Sequence, residues 1–497
     1  MPLLLAADHI GLKTDQIGWV LGMLPVMSVF AIPYWSGIAD RTDKKKTLGI
    51  LAASQACVFC LYAVPSLLDV LTEKTWIKFV GDATLAKWIW CMIIQCVHSF
   101  FLSPILPILD ALAIDVLESS GRSSKAFGTQ RLWGAISWAI VNLVLGFATD
   151  HASMGVEVMY GGMLLTTVLF CSSIYFHGHV NLDDTHNEVT GDAQGEKGVA
   201  PKDSSIDLAS PAAAIDKREG EESTTLASEA SDLGEEVSRS SCNQLSILLA
   251  QLRVIWKMLT GSSLSRAARL RSGVFFAVAF VLGAVTSLLE AYEFLFFVQD
   301  LDASALMCGV SVVITVMFEI PIFCFGQQLL ERCGSAMLIV VAQVAYIVRV
   351  WGYTMLTPKT VWLALPLESL HGVTYGCFTT AAVECMVRLA PEGLEASAQG
   401  ALSLVRNSVG TLLGSVVGGI VFRHVGAVTL FRGAGAIVLL ALVPFAIVFR
   451  RELVTADARA LGEDGESTRA RSACCVCWQH RQCCTQYIGQ YTRLTLE

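Results

Sequence analysis

Several ionisable residues stand inside long apolar runs of this sequence: Asp110, Glu290, Glu293, Glu319, Arg349, Glu368 and His371. At membrane depth such a group costs about 2.5–3.5 kcal/mol on insertion scales, so several on one set of helices need a reason. Glu290 and Glu293 are three apart, as are Glu368 and His371, the spacing that places two side chains on one helix face. Two uses fit these residue types. In one, a buried carboxyl takes up and releases a proton, tuned by a neighbouring arginine or histidine. In the other, the groups are fixed ion pairs or helix–helix hydrogen bonds that never titrate. Glu384 and Arg388, four apart, fit the fixed pair better, and Asp110 fits either use. The set Glu290, Glu293, Glu368 and His371 favours proton exchange. His98, alone on an apolar helix, reads as a bonded packing residue, and Arg406 with Asn407 adds polar groups further on.

The elements that must position these residues follow from composition. Of 497 residues, 54% are hydrophobic and only 16% charged, with mean hydropathy +0.57. Soluble domains carry about 25% charged residues, so the chain reads as an all-α membrane protein. After an apolar stub at Met1–Ala7, spans are expected at Gly18–Gly37, Thr47–Leu68, Trp88–Leu117, Arg131–Thr149 and Gly155–Phe176. Six more are expected near Val274–Val298, Leu306–Gln327, Ala336–Met355, Val361–Leu389, Ser397–Phe422 and Val428–Phe449. Pro104 and Pro107 should bend the fourth span. The glycines Gly410, Gly414, Gly418 and Gly419 offer a small-residue face for close packing. Trp76, Trp88, Trp90 and Trp362 fit interfacial anchors, and Trp133 and Trp138 face either a cavity or lipid.

Between the two groups of spans, residues 177–243 are acidic, serine-rich and nearly free of aromatics, the composition of a disordered linker. Leu245–Leu259, followed by Arg266, Arg269 and Arg271, reads either as a basic helix on the inner leaflet or as a solvated linker helix. The formal charge of -8 therefore describes the linker more than the spans. Most of the 16 cysteines lie in apolar runs as small hydrophobes. Those in the tail (Cys474, Cys475, Cys477, Cys483, Cys484, with His480) lack zinc-site spacing and fit S-palmitoylation or a plain reduced tail. No metal or cofactor is expected, no enzymatic activity and no nucleic-acid partner. The sequence has no phosphate-binding G-x-x-x-x-G-K-[ST] loop, so ATP is not the expected drive.

Gly37-Ile-Ala-Asp40-Arg41-Thr-Asp43-Lys44-Lys45-Lys46 closes the second span with a basic cluster, which places that end on the cytoplasmic side. Ile32-Pro33…Gly37…Asp40-Arg41 is echoed by Ile320-Pro321…Gly326…Glu331-Arg332-Cys333-Gly334, so the chain repeats itself. The first copy resembles the loop between helices 2 and 3 of major facilitator superfamily transporters. Asp43 and Lys44 depart from that family's glycine and arginine. Gln130-Arg131-Leu132-Trp133-Gly134, Leu367–Thr374 and Ala396-Ser397-Ala398-Gln399-Gly400 are similar to motifs of its associated-domain branch, which includes lactose-permease-like and nucleoside–proton-symporter-like members.

The resemblance implies two six-helix halves, with residues 1–176 and 273–450 holding the spans. Residues 177–272 would form a cytoplasmic linker and 451–497 a cytoplasmic tail. It implies that the chain begins inside helix 1, leaving about 11 complete spans. It also implies solute transport by alternating access, in which Gly37, Asp40, Arg41, Glu331 and Arg332 act in conformational gating. The resulting expectation is proton-coupled symport of a small polar solute of the sugar or nucleoside class, across a lipid bilayer. A transporter-like receptor or scaffold without flux, or an inactive truncated transporter, is the alternative.

Overall fold

A computed structural model describes residues 2–7, 10–71, 83–119, 127–151, 155–176, 244–261, 265–390 and 394–454. The expected acidic linker, the Cys-rich tail, the loop bearing Glu73, Lys74, Lys78 and Asp82, and Trp76 lie outside the described residues. Helices make up the described chain: α1 Pro2–Ala6, α2 Thr14–Ala39, α3 Lys44–Cys60, α4 Val64–Leu71, α5 Ala83–Leu102, α6 Ile105–Ser119, α7 Phe127–His151 and α8 Val158–Phe176. There follow α9 Gln244–Thr260, α10 Arg266–Gln299, α11 Ala305–Cys324, α12 Gly326–Tyr353, α13 Ala364–Leu389, α14 Glu395–Ser403, α15 Thr411–Val425 and α16 Ala427–Val448.

Among the described residues, ten segments are long and apolar enough to cross a membrane. They include α5 and α6 taken together, which turn at Ser103-Pro104. Proline lacks an N–H and clashes with the preceding turn, so the expected bend sits where the sequence puts it. α13 has the length, 26 residues or about 39 Å. It is too polar to be one of the ten, because it carries Glu368, His371 and a run of Gly, Ser and Thr.

Three boundaries differ from the sequence expectation. α10 starts at Arg266, so Arg269 and Arg271 belong to the spanning helix, and Ser265 Oγ caps it by accepting from the Ala268 amide at 3.1 Å. Glu331 and Arg332 are helical within α12, and the chain turns only at Gly334, whose φ of 75° suits glycine. The span after α13 is interrupted by a π-helical stretch, Leu404–Gly410.

α2 packs on α15 and α7 on α11, joining the N-terminal helices to the C-terminal ones. A Cβ at Gly18 would meet the Ser415 carbonyl oxygen at 2.5 Å, and one at Gly309 the Asn142 carbonyl oxygen at 2.7 Å, so these backbones nearly touch. Two polar links reinforce the same end. Asp15 pairs with Arg423, and Asp150 accepts from the amides of Ala305 at 2.9 Å and Leu306 at 2.7 Å. With Ser304 Oγ taking the Met307 amide, three otherwise orphaned donors of α11 are satisfied. At the Asp40 end, Gly37 and Gly134 have nothing within 4 Å of an added Cβ. α9 buries Ala250, Val254 and Met258 and leaves Leu252 and Trp256 exposed.

Candidate functional site

α10 and α12 are the most enclosed spans, whereas the searched window of α8 has no buried residue. Their shared interior holds the polar groups. Arg349 and Tyr353, four apart on α12, face Glu293 of α10 and Glu368 and His371 of α13. Small residues let the helices approach. A Cβ at Gly372 would lie 2.6 Å from the Glu319 backbone nitrogen of α11, and one at Gly376 2.6 Å from Ile322 Cγ2.

The guanidinium of Arg349 is the hub. Its Nη2 donates to Glu293 Oε2 at 2.8 Å and Glu368 Oε2 at 2.7 Å, forming both ion pairs. Nη1 lies 2.8 Å from His371 Nδ1, and Nε donates to Tyr353 Oη at 2.7 Å. Tyr353 passes its own proton toward Glu368 Oε1, and Thr315 of α11 donates to Glu368 Oε2 at 3.2 Å. Arg349 and Glu368 are each 1% exposed and Glu293 is 7% exposed. Arginine's planar fork of five donors makes one such group able to serve four partners.

The network borders a cavity lined by Thr286, Arg349, His371, Thr374, Tyr375 and Arg406, among others. His371 stacks on Tyr375, with centroids 6.0 Å apart. Arg406, in the π-helical stretch, lies over Phe378 at 4.7 Å and Tyr375 at 5.4 Å, and donates to Thr379 at 3.3 Å. π-helical turns recur at functional sites because they re-aim a side chain. Glu290 is exposed and feels the charges of Arg349 and Arg406, and its side chain forms no hydrogen bond among the described residues.

The structure thus unites Glu293, Arg349, Glu368 and His371, with Glu290 beside them. Two other sequence candidates form no ion pair with Arg349. Glu319, half-buried, lies a turn along α11 from Thr315, and Asp110 sits half-buried on α6. Tyr353 and Thr315 were not candidates by sequence, although Tyr353 is four residues after Arg349, a helical neighbour. Arg406, noted only as a polar group, proves to line the cavity. His98 is buried and bonds Gln55 Oε1 through Nε2 at 3.1 Å. Glu384 and Arg388 form an exposed pair at 2.8 Å. In the basic loop, Asp43 caps α3 through the Lys45 amide, and Lys44 pairs with Asp115 at 2.5 Å. Asp40 and Arg41 are exposed, as are Glu331, which accepts from Gln327 at 3.1 Å, and Arg332.

The sequence model of the MFS_1 like family matches residues 2–433. Maltose permease of Geobacillus stearothermophilus is 27% identical over 146 residues, which is 29% of this chain and 31% of that protein. The chain thus aligns with under a third of that relative's length. The uncharacterized transporter YwbF of Bacillus subtilis (strain 168) is 19% identical over 83% of this chain and 79% of its own. Among solved structures, the fold is shared with nucleoside transporter NupG, with TM-score 0.58 and 16% identity over 90% of this chain and 94% of that one. It is shared too with the E. coli xylose transporter XylE, with TM-score 0.51 and 11% identity over 88% and 87%. The chain belongs to the MFS_1 like family and is a multi-pass membrane transporter of the major facilitator superfamily.

Proposed function

We propose that this transporter is a proton-coupled symporter of a small polar solute, working by alternating access. The observation that carries the reading is the charge count at the hub: one guanidinium faces two carboxylates in a nearly dry site. With both acids ionised, one negative charge is left over where uncompensated charge costs several kcal/mol. A proton on either acid removes it, so arrival and departure of a proton change the bonding around Arg349. Because Arg349 and His371 also line the cavity, a solute there touches the same groups. The cavity is narrow as it stands, and a sugar or nucleoside admitted when it widens would find hydrogen-bonding groups on Thr286, Thr374 and Arg406 and a flat face on Tyr375. The named sugar and nucleoside transporters that share the fold agree with that class.

In this reading the Asp15 end is extracellular and closed, and the Asp40 end is cytoplasmic. Gly37, Asp40, Arg41, Glu331 and Arg332 act in the gate and make no substrate contact. The test is uptake of radiolabelled uridine and maltose into proteoliposomes with and without an inward proton gradient. Wild type should accumulate at least one of them, and Glu293→Gln and Glu368→Gln should abolish the gradient's effect. Gradient-driven accumulation in both variants would refute the coupling role. Binding of either solute without flux would favour a receptor.

A further inference from the structure

The bonded core of the hub has a second copy among the N-terminal helices. Tyr62 donates to Gln95 Oε1 at 2.5 Å, as Tyr353 donates to Glu368 Oε1. His98 follows Gln95 by three residues, as His371 follows Glu368. For the tyrosine the register is the one the chain repeats elsewhere. Glu368 and His371 instead lie 273 residues after Gln95 and His98, the connection between the two helices being 18 residues shorter in the second copy. Tyr353 lies 291 residues after Tyr62, Glu331-Arg332 lies 291 after Asp40-Arg41, and Ser335, where α12 resumes beyond its turn, lies 291 after Lys44 at the start of α3. α3 and α5 therefore repeat the α12–α13 pair, down to one tyrosine hydrogen bond between them.

The copies differ in charge. The residue 291 before Arg349 is Val58, which packs against the apolar core, and the counterpart of Glu368 is the amide Gln95. Gln95 Nε2 donates to Ser99 Oγ at 3.2 Å, and Gln55, Gln95, His98 and Ser99 are all buried. The titratable groups of the cluster are His98, whose Nε2 donates to Gln55 Oε1 and whose Nδ1 is buried with no hydrogen-bond partner among the described residues, Tyr62, whose ring lies 6.5 Å from that of His98, Tyr160, which packs with His98 on Phe59, and the thiols Cys91 and Cys96. Glu157, just before α8, and Lys87, a turn before Cys91 and paired with Asp69, stand at helix ends. α2, packed on α5, has no ionisable residue between Asp15 and Tyr34. Exchanging an arginine and its acid for valine and an amide keeps a tyrosine-to-carbonyl bond while removing the cost of buried charge. It also removes the acid that could take up a proton.

We infer that the Tyr62–Gln95–His98 copy is a proton-silent joint and that Val58 and Gln95 are the residues that keep it so. This rests on the proton-coupled reading above. The test needs no solute. The full chain, solubilised in detergent, is titrated while infrared absorption counts carboxylic C=O groups and an indicator dye counts protons taken up. His98→Gln and Tyr62→Phe should leave both counts at the wild-type value, and Glu293→Gln or Glu368→Gln should lower them. Gln95→Glu should add one carboxyl and one proton per molecule. Where that variant fails to run as a single folded species, the His98→Gln and Tyr62→Phe counts carry the test, and Val58→Arg/Gln95→Glu, whose guanidinium balances the new carboxylate, should leave both counts at the wild-type value. A lower count in His98→Gln overturns the inference, as does a folded Gln95→Glu protein with no added carboxyl. If neither glutamate variant changes the counts and the His98 variant is also silent, the proton-coupled reading falls while the silence of the N-terminal copy is upheld.

Discussion

Arg349 decides what the buried acids can do. It bonds Glu293, Glu368, His371 and Tyr353 at once, so its loss strands two carboxylates in a dry site. Breaking a buried pair by removing one partner costs about 3–5 kcal/mol, whereas replacing all members by neutral groups is often harmless. Arg349→Met should therefore lower the thermal midpoint of the solubilised protein sharply, and Arg349→Met/Glu293→Gln/Glu368→Gln should recover most of it. A triple variant no more stable than the single one would argue that packing, and not charge, is at stake. The four ionisable members were legible in the sequence because each stands out in an apolar run. Tyr353 and Thr315 were not, since both residue types are common in spanning helices and only their bonds to Glu368 set them apart.

At the scale of elements, α13 is the helix built around the site. Its polar face meets α12, and its glycines meet α11. Glycine at 372 is required by closeness and not by backbone conformation, because the nearest atoms are the main chain of Phe318 and Glu319. Overpacking of this kind costs about 1–3 kcal/mol. Gly372→Val should thus destabilise the protein by that amount in thermal unfolding and push α13 away from Thr315, weakening uptake. A fully stable variant would mean that the helices adjust freely. The bend at Pro104 could be read from the sequence, since proline carries its own cause. The π-helical stretch could not. It lies where Gly283 of α10 comes so close that its Cβ would strike the Arg406 backbone, a contact that exists only once the helices have packed.

For the whole molecule, the issue is which end is sealed. Asp15–Arg423 and the Asp150 cap on α11 both close one end. A pair this exposed is worth about 0.2–1 kcal/mol, enough to shift an opening equilibrium by a few fold. Asp15→Asn should speed hydrogen exchange of the amides in residues 14–22, and Asp15→Arg/Arg423→Asp should slow it again. Unchanged exchange in the single variant would show that backbone packing alone holds the seal. At the other end, Asp40→Asn should alter the rate of transport with solute affinity unchanged, measured by counterflow and by equilibrium binding of uridine or maltose. Lost binding in a folded variant would contradict a gating role.

Composition and periodicity by themselves determined that this chain crosses a membrane many times, since spanning length and apolarity are local properties of each segment. They also determined which residues could carry charge into it, and the repeated Asp40-Arg41 and Glu331-Arg332 units exposed the internal duplication. What only the tertiary structure decided is which of those charges meet. Helix faces give direction but not partners, so sequence alone favoured Glu293 for proton exchange and left Asp110 open without naming what either would meet. Packing of α10, α12 and α13 put Glu293 on Arg349, whose ion pairs are with Glu293 and Glu368 and include neither Asp110 nor Glu319. It also paired Tyr62 with Gln95, so that the duplication marked by Asp40-Arg41 and Glu331-Arg332 proved to include a buried site, charged in one copy and neutral in the other.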